Sequence, residues 1–320
     1  MSPRVVITRP LPDRVVEAAR AAGFDVVLRD ETSPLGRAEL ADSLRSADGV
    51  LPTLGDAYDA ALFAEVPQPR ARILANFGVG YNHIDVAAAR RAGLVVTNTP
   101  GAVTDATADI ALTLMLMSAR RAAEGERLVR TGRWEGWHPT QMLGMHLTGK
   151  TLGIVGMGRI GRAIARRAQA GFGMRVLYLN RSAVPDTGVP AERVADLATL
   201  MAASDVVAVA VPGGAATRHL IDAAALGAMR PHAHLVNISR GDVIDETALI
   251  EALEAGRIGG AGLDVYEHEP QVPERLRALD TVVLLPHLGT AALEVREAMG
   301  LMAVENLRAF FAGETPPNLV

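Results

Sequence analysis

Residues 151–161, TLGIVGMGRIG, decide how the rest of the chain is read. Leu152 to Val155 form a short apolar run, which reads as a buried strand. Gly156, Gly158 and Gly161 follow at G-x-G-x-x-G spacing, and Ile160, Ala163, Ile164 and Ala168 then recur at helical spacing. Strand, glycine turn and helix in that order form the context in which this motif binds a dinucleotide. Gly156 is expected to make the tight turn, and Gly158 to let a pyrophosphate approach the backbone. Gly161 is expected to let helix and strand pack closely, with the phosphates at the helix N-terminus. Outside that context the same glycines would be a plain strand-to-helix turn.

Downstream, the apolar, β-branched runs at 175–179, 206–211, 235–238, 261–265 and 282–285 read as strands buried on both faces of a parallel sheet. Upstream, 5–7, 26–28, 49–52, 73–77 and 94–96 read as a second set, alternating with helices at 11–22, 35–47 and 86–92. This first set carries no phosphate-binding glycine pattern. Pro100-Gly101 breaks the chain before a long apolar helix over 104–130, whose face Ile110, Leu114, Met117 is expected to pack between domains. The segment 131–148, rich in Gly, Trp, His and Met, is expected to be irregular. A last helix over 292–311 returns the chain to the first set. The fold class is therefore α/β, with two parallel-sheet domains, one Rossmann-like and one flavodoxin-like. The nucleotide domain, 100–286, is inserted in a discontinuous substrate domain made of 1–99 and 287–320.

The composition, 49% hydrophobic and 21% charged over 320 residues, fits a globular enzyme of about two domains. A net charge of −4 with no basic block argues against nucleic acid or an anionic membrane as partner. The chain has no cysteine, which excludes disulfides, thiolate catalysis and cysteine-bound metal. Its one lysine, Lys150, makes Schiff-base chemistry improbable. The N-terminal MSPRVVITRP has no apolar secretory core, and the apolar run 110–117 is too short to span a bilayer, so a cytoplasmic protein is expected. His138, His146, His219, His232 and His234 show no coherent metal spacing, and no metal is expected.

Ligands of open α/β sheets bind beyond the carboxyl ends of the strands. NISRG at 237–241 puts Arg240 just past one strand. GLDVYEHEP at 262–270 puts Asp264, Glu267 and Glu269 past another, and PHLG at 286–289 puts His287 past a third. Singly these are ordinary loop residues. Together they suit reduction of a 2-oxo acid. A planar arginine holds the carboxylate and polarises the carbonyl, and a histidine donates the proton near neutral pH. A carboxylate beside it favours the imidazolium, and a nicotinamide supplies the hydride.

With GMGRIG, NISRGDVID, GAGLDVYEHEP and PHLGTA in order and spacing, the sequence resembles the D-isomer-specific 2-hydroxyacid dehydrogenases, most closely their glyoxylate/hydroxypyruvate reductase branch, over about residues 5–318. The resemblance implies catalytic roles for Arg240, Glu269 and His287, with Glu267 outside them. It implies that backbone amides of Val79 and Gly80, in NFGVGYNHID at 76–85, hold the substrate carboxylate together with Arg240 and His287. It makes Asp264 a nicotinamide-side contact. Arg159, Ile160, Thr107, Pro212, Ser239 and Gly289 join Gly156, Gly158 and Gly161 as cofactor contacts. His83 is read as structural. Trp134 and Trp137 resemble the reductase branch, where a tryptophan of the neighbouring subunit can close the pocket. An ordinary hydrophobic interface residue is the alternative reading of either, and a homodimer built around the helix after Pro100 is expected. Residues 51–56 are expected to line the substrate pocket. The alternatives are a reductase of another 2-oxo acid, of 2-ketogluconate or phenylpyruvate type, and a nucleotide-sensing scaffold like the corepressors built on this fold.

One departure bears on the cofactor. An NAD-selective site carries an acid at the end of the second strand for the ribose 2′-OH. Here that strand ends in Asn180-Arg181-Ser182. Nothing there repels a 2′-phosphate, and Arg181 offers it a planar cation and Ser182 a hydroxyl. The expected cofactor is NADPH, with NADH a weaker alternative.

Overall fold

The computed structural model describes residues 2–320. The chain divides into two compact units, Met1–Val103 with Ala291–Val320, and Thr104–Thr290. The cuts expected at 99 and 286 lie four residues earlier at each crossing. The later second cut puts His287 in the larger unit, because the turn carrying it is tied to that unit's own strand ends, as described below.

The smaller unit is built on five parallel strands: β1 (Arg4–Ile7), β2 (Asp25–Leu28), β3 (Gly49–Leu51), β4 (Ile73–Ala75) and β5 (Val95–Thr97), in the order β2-β1-β3-β4-β5. Val5, Ile7, Leu51 and Ile73 pack on one face with the helix Leu293–Phe311, and Val50, Leu74 and Val96 pack on the other. A short helix, Ala60–Glu65, is absent from the sequence-based expectation. It is too brief to show a period, and its one local mark is Asp59, whose carboxylate accepts the Leu62 amide at 2.7 Å.

The larger unit has seven parallel strands: β6 (Thr151–Val155), β7 (Arg175–Leu179), β8 (Ala191–Arg193), β9 (Val206–Val209), β10 (His234–Asn237), β11 (Gly260–Leu263) and β12 (Val282–Leu284). Their order is β12-β11-β10-β9-β6-β7-β8, with the topological switch at β6. Val207 and Val209 serve the core on one face, Val206 and Ala208 the core on the other. Burial on both faces is why these strands read as unbroken apolar runs.

The single helix expected over 104–130 is two helices, Thr104–Ala119 and Ala122–Arg130. Arg121 between them has a left-handed φ of 53°. The Ala119 carbonyl accepts the amide of Met145 at 2.7 Å, so the segment 131–148 takes over a bond the helix would have made. Propensity alone does not reveal a tertiary competitor of that kind. The face expected to pack between domains packs on its own unit. Leu114 is buried against β11, where a Cβ on Gly262 would lie 2.8 Å from the Leu114 Cβ, and Ile110 and Met117 cover the same core. Among the described residues no helix is long and apolar enough to cross a membrane.

Candidate active site

The glycine turn follows β6. Gly156 has φ 100°, and a Cβ there would lie 2.7 Å from the Ala210 carbonyl oxygen. A Cβ on Gly161 would lie 2.2 Å from the Gly156 oxygen. The fold itself therefore requires both to be glycine. Gly158 differs, because nothing lies within 4 Å of a Cβ built on it and its φ is an ordinary −78°. Its missing side chain clears space only outside the chain. It also opens the helix Arg159–Phe172, which has no side-chain cap. Uncapped amides beside that space fit a pyrophosphate.

At the end of β7, the Asn180 carboxamide accepts the Met157 amide at 3.2 Å and donates to the Ser182 carbonyl at 3.0 Å. It thus stitches the strand end to the glycine turn. Arg181 and Ser182 are exposed. Arg193, on β8, donates to the Asn180 carbonyl at 3.1 Å and adds a second cation to this turn.

The strand ends of β10, β11 and β12 carry the charged set. The His287 Nδ1 lies 2.8 Å from the Glu269 Oε2, and among the described residues no group pairs with its Nε2. Burial raises the pKa of the Glu269 carboxyl. The hydrogen bond and charge of His287, the Tyr266 amide at 3.1 Å and the Arg240 charge outweigh that and leave it lowered. Arg240 donates through Nη1 to the Ser239 carbonyl at 2.7 Å, while its Nε is buried with no acceptor. Burial pulls its pKa down against the pull of Glu269 and Asp242. A buried donor without a partner costs about 1–3 kcal/mol, and among the described residues this Nε has none.

Of the residues that aim these groups, sequence reasoning missed Asn237, and it named Ser239, Asp264 and Thr107 only as cofactor contacts. Asn237, buried at the end of β10, donates to the Arg240 carbonyl at 2.9 Å and accepts the Ser239 amide at 3.0 Å. Ser239 in turn donates to the Val211 carbonyl at 2.5 Å. Asp264 is buried, and its carboxylate accepts the amides of Leu288 at 2.6 Å and Gly289 at 2.8 Å. Its carbonyl accepts the His287 amide at 3.0 Å. These three bonds hold His287 at φ 56°, a conformation that costs a non-glycine residue about 1–3 kcal/mol. Burial raises the Asp264 pKa, and the two amides oppose the rise. Thr107 donates to the Gly289 carbonyl at 3.1 Å, fastening the far side of the same turn. Pro212 is exposed, and its carbonyl accepts the Thr217 hydroxyl at 2.7 Å. Glu267 lies apart from His287 and pairs with His219 at 2.9 Å and Arg218 at 3.2 Å.

In the smaller unit, the loop after β4 is arranged by amides. Buried Asn76 donates to the carbonyls of Gly78 at 3.0 Å and Gly80 at 3.1 Å. Asn98 donates to the Val79 carbonyl at 2.9 Å, and Asn306 donates to the Asn98 carbonyl at 3.2 Å. With all three carbonyls engaged, the amides of Val79 and Gly80 have no partner among the described residues. In the loop after β3, buried Asp56 accepts from Thr8 at 2.6 Å, the Thr53 amide at 2.9 Å and the Leu35 amide at 3.0 Å.

A glycine turn on β6 of a sheet in Rossmann order, with an arginine and a His–Glu pair on neighbouring strand ends, defines a nicotinamide-dependent oxidoreductase. Residues 112–289 match the family model of the D-isomer specific 2-hydroxyacid dehydrogenase, NAD binding domain. The chain is 44% identical over 326 residues to the glyoxylate reductase of Thermococcus litoralis, covering 100% of this chain and 97% of that one. It is 45% identical over 328 residues to the glyoxylate reductase of Pyrococcus furiosus, covering 100% and 96%. The NADPH-dependent glyoxylate/hydroxypyruvate reductase of Sinorhizobium meliloti, solved with NADP and malonate, superposes with a TM-score of 0.88 at 37% identity, covering 100% and 97%. The chain belongs to the D-isomer-specific 2-hydroxyacid dehydrogenase family.

Proposed function

We propose that this protein reduces glyoxylate and hydroxypyruvate to their 2-hydroxy acids, with Arg240, Glu269 and His287 as its catalytic groups. The observation that carries this is the 2.8 Å His287–Glu269 pair, with Arg240 beside it and the Arg240 Nε lacking an acceptor. Arg240 binds the carboxylate and polarises the carbonyl. His287 Nε2 gives its proton to the carbonyl oxygen. Glu269, whose own pKa the histidine lowers, accepts the Nδ1–H of the imidazole and so holds the ring in one orientation. A reduced nicotinamide held by the larger unit would supply the hydride. Val79 and Gly80, with unpaired amides, suit the substrate carboxylate. The relatives named glyoxylate reductase support this substrate class.

The larger unit is assigned the dinucleotide, at Gly156, Gly158, Arg159, Ile160 and Gly161, with Thr107, Pro212, Ser239, Asp264 and Gly289 around the nicotinamide. The smaller unit is assigned the substrate acid. NADPH is the preferred cofactor, through Asn180, Arg181 and Ser182, with Arg181 pairing the 2′-phosphate. Val129, Trp134, Trp137 and Leu143 expose apolar side chains, which suits a homodimer. The cytoplasm, where reduced nicotinamide is regenerated, is its expected place of action. Oxidation of NADPH and NADH measured with glyoxylate and with hydroxypyruvate tests the activity, and no consumption with either acid overturns it. Arg181→Ala should raise the KM for NADPH about tenfold, the loss of one charge-assisted contact, with the NADH KM unmoved. Equal KM values in the unmutated protein would refute the preference. Light scattering that finds a monomer would refute the dimer.

A further inference from the structure

We propose that His219 is a positioning residue that keeps the Arg240-bearing and Glu269-bearing segments in register, acting through Glu267. This rests on the assignment of Glu269 and His287 as the acid–base pair.

Two segments must be aligned: 240–245, which follows Arg240, and 264–269, which leads to Glu269. They touch without a side chain between them. A Cβ on Gly241 would lie 1.8 Å from the Tyr266 carbonyl carbon and 2.3 Å from the Glu267 nitrogen. The Tyr266 amide next to that point donates to the Glu269 Oε1 at 3.1 Å. A drift of the 266–267 peptide therefore moves the carboxylate that orients His287.

His219 grips both segments. Its amide donates to the Asp242 carbonyl at 2.7 Å, and Ile221 continues the contact with a bond to the Val243 carbonyl at 3.0 Å. Its Nε2 lies 2.9 Å from Glu267 Oε1. A carboxylate only accepts, so this nitrogen carries the hydrogen. Arg218 donates to the same oxygen at 3.2 Å, and the Glu267 amide donates to Glu246 Oε1 at 3.2 Å. His219 reaches across with a left-handed φ of 48°. Such strain in a non-glycine residue persists only where surrounding bonds hold it, and it gathers at working sites. The charged neighbours of Glu269 are His287, Arg240 and Asp264, and none of them pairs with His219. His219 therefore acts on Glu269 through backbone position rather than charge.

The test uses His219→Asn, since asparagine tolerates a left-handed φ, and Glu267→Ala as a second route to the same broken contact. Each should lower kcat by about ten- to a hundredfold, the cost of misplacing a catalytic group by about 1 Å. The KM for NADPH should stay constant. Glu267→Gln keeps an acceptor for the imidazole and should recover most of the loss. The His219→Asn/Glu267→Ala double variant should be no slower than either single one. Wild-type kcat in both single variants, or a lowered melting temperature alone, overturns the inference. His287→Ala measured alongside separates the failures. If it is inactive while His219→Asn is normal, only the inference falls; if it turns over normally, the acid–base assignment falls and takes the inference with it.

Discussion

The seven-stranded sheet carries histidine–acceptor pairs at both edges. At the carboxyl edge stand His287 with Glu269 and His219 with Glu267. At the amino edge His232 lies 2.8 Å from Asp205, and His234 Nδ1 lies 2.7 Å from the Ser118 hydroxyl. Residue types and distances barely distinguish the two edges. Their surroundings do. At the amino edge Asp205 also accepts the Thr151 amide at 2.8 Å and Arg230 at 3.1 Å, so its oxygens are spent within the chain. Burial, then the charge of His232, pushes the His234 pKa down to about 4 and keeps that ring neutral. At the carboxyl edge, among the described residues, His287 keeps one nitrogen unpaired and Arg240 keeps a buried donor unmatched. An edge whose polar groups are satisfied holds strands together. An edge that leaves donors unsatisfied is prepared for a ligand, and parallel sheets present ligands at that end.

The sharpest way to break this comparison is to delete the free imidazole. His287→Ala should lower kcat by about 10²–10⁴-fold, the usual share of general acid–base catalysis, with cofactor affinity retained in fluorescence titration. Turnover near that of the unmutated enzyme would make the carboxyl edge as structural as the other. Next in size, Arg240→Lys keeps the charge and loses the fork. It should cost about 10²-fold in kcat/KM, with kcat falling and KM rising together. A change confined to melting temperature would make Arg240 a structural cation.

The third prediction moves to the smaller sheet, whose carboxyl edge works with backbone groups. Asn98→Ala frees the Val79 carbonyl and loosens the loop. It should raise the KM for glyoxylate about tenfold, worth about 1.4 kcal/mol, with kcat nearly constant. An unchanged KM would remove that loop from substrate binding. The smallest effect on turnover belongs to the amino edge. His234 is held neutral when folded but takes up a proton near pH 6.5 when unfolded, so its contribution is complete above that value and is lost as pH falls towards 4. The loss is on the order of 3 kcal/mol. His234→Gln should flatten the acid side of the stability curve in urea titrations and leave kcat unchanged. An acid limb as steep as that of the unmutated protein would show that His234 does not drive it.

Much of this molecule is legible in its sequence. Residues 151–161 carried the nucleotide turn because glycine positions are demanded by backbone geometry, which is local. The strands were visible because a sheet buried on both faces needs continuous apolar runs. Arg240, Glu269 and His287 stood out because each charged residue follows such a run. What stayed hidden depended on partners far away in sequence. Met145 takes the Ala119 carbonyl and ends a helix that propensity would continue. Asp264 is read from the sequence as a nicotinamide-side contact, and only the fold shows that its two oxygens also bind the turn that aims His287. Glu267 and Glu269 are two residues apart and chemically alike, and only the fold sends one to His219 and the other to His287. Local sequence determined which elements form and which residue types reach the strand ends. Tertiary structure alone decided which of those polar groups are used up inside the chain and which remain for chemistry, because hydrogen-bond satisfaction depends on distances between segments that sequence spacing does not contain.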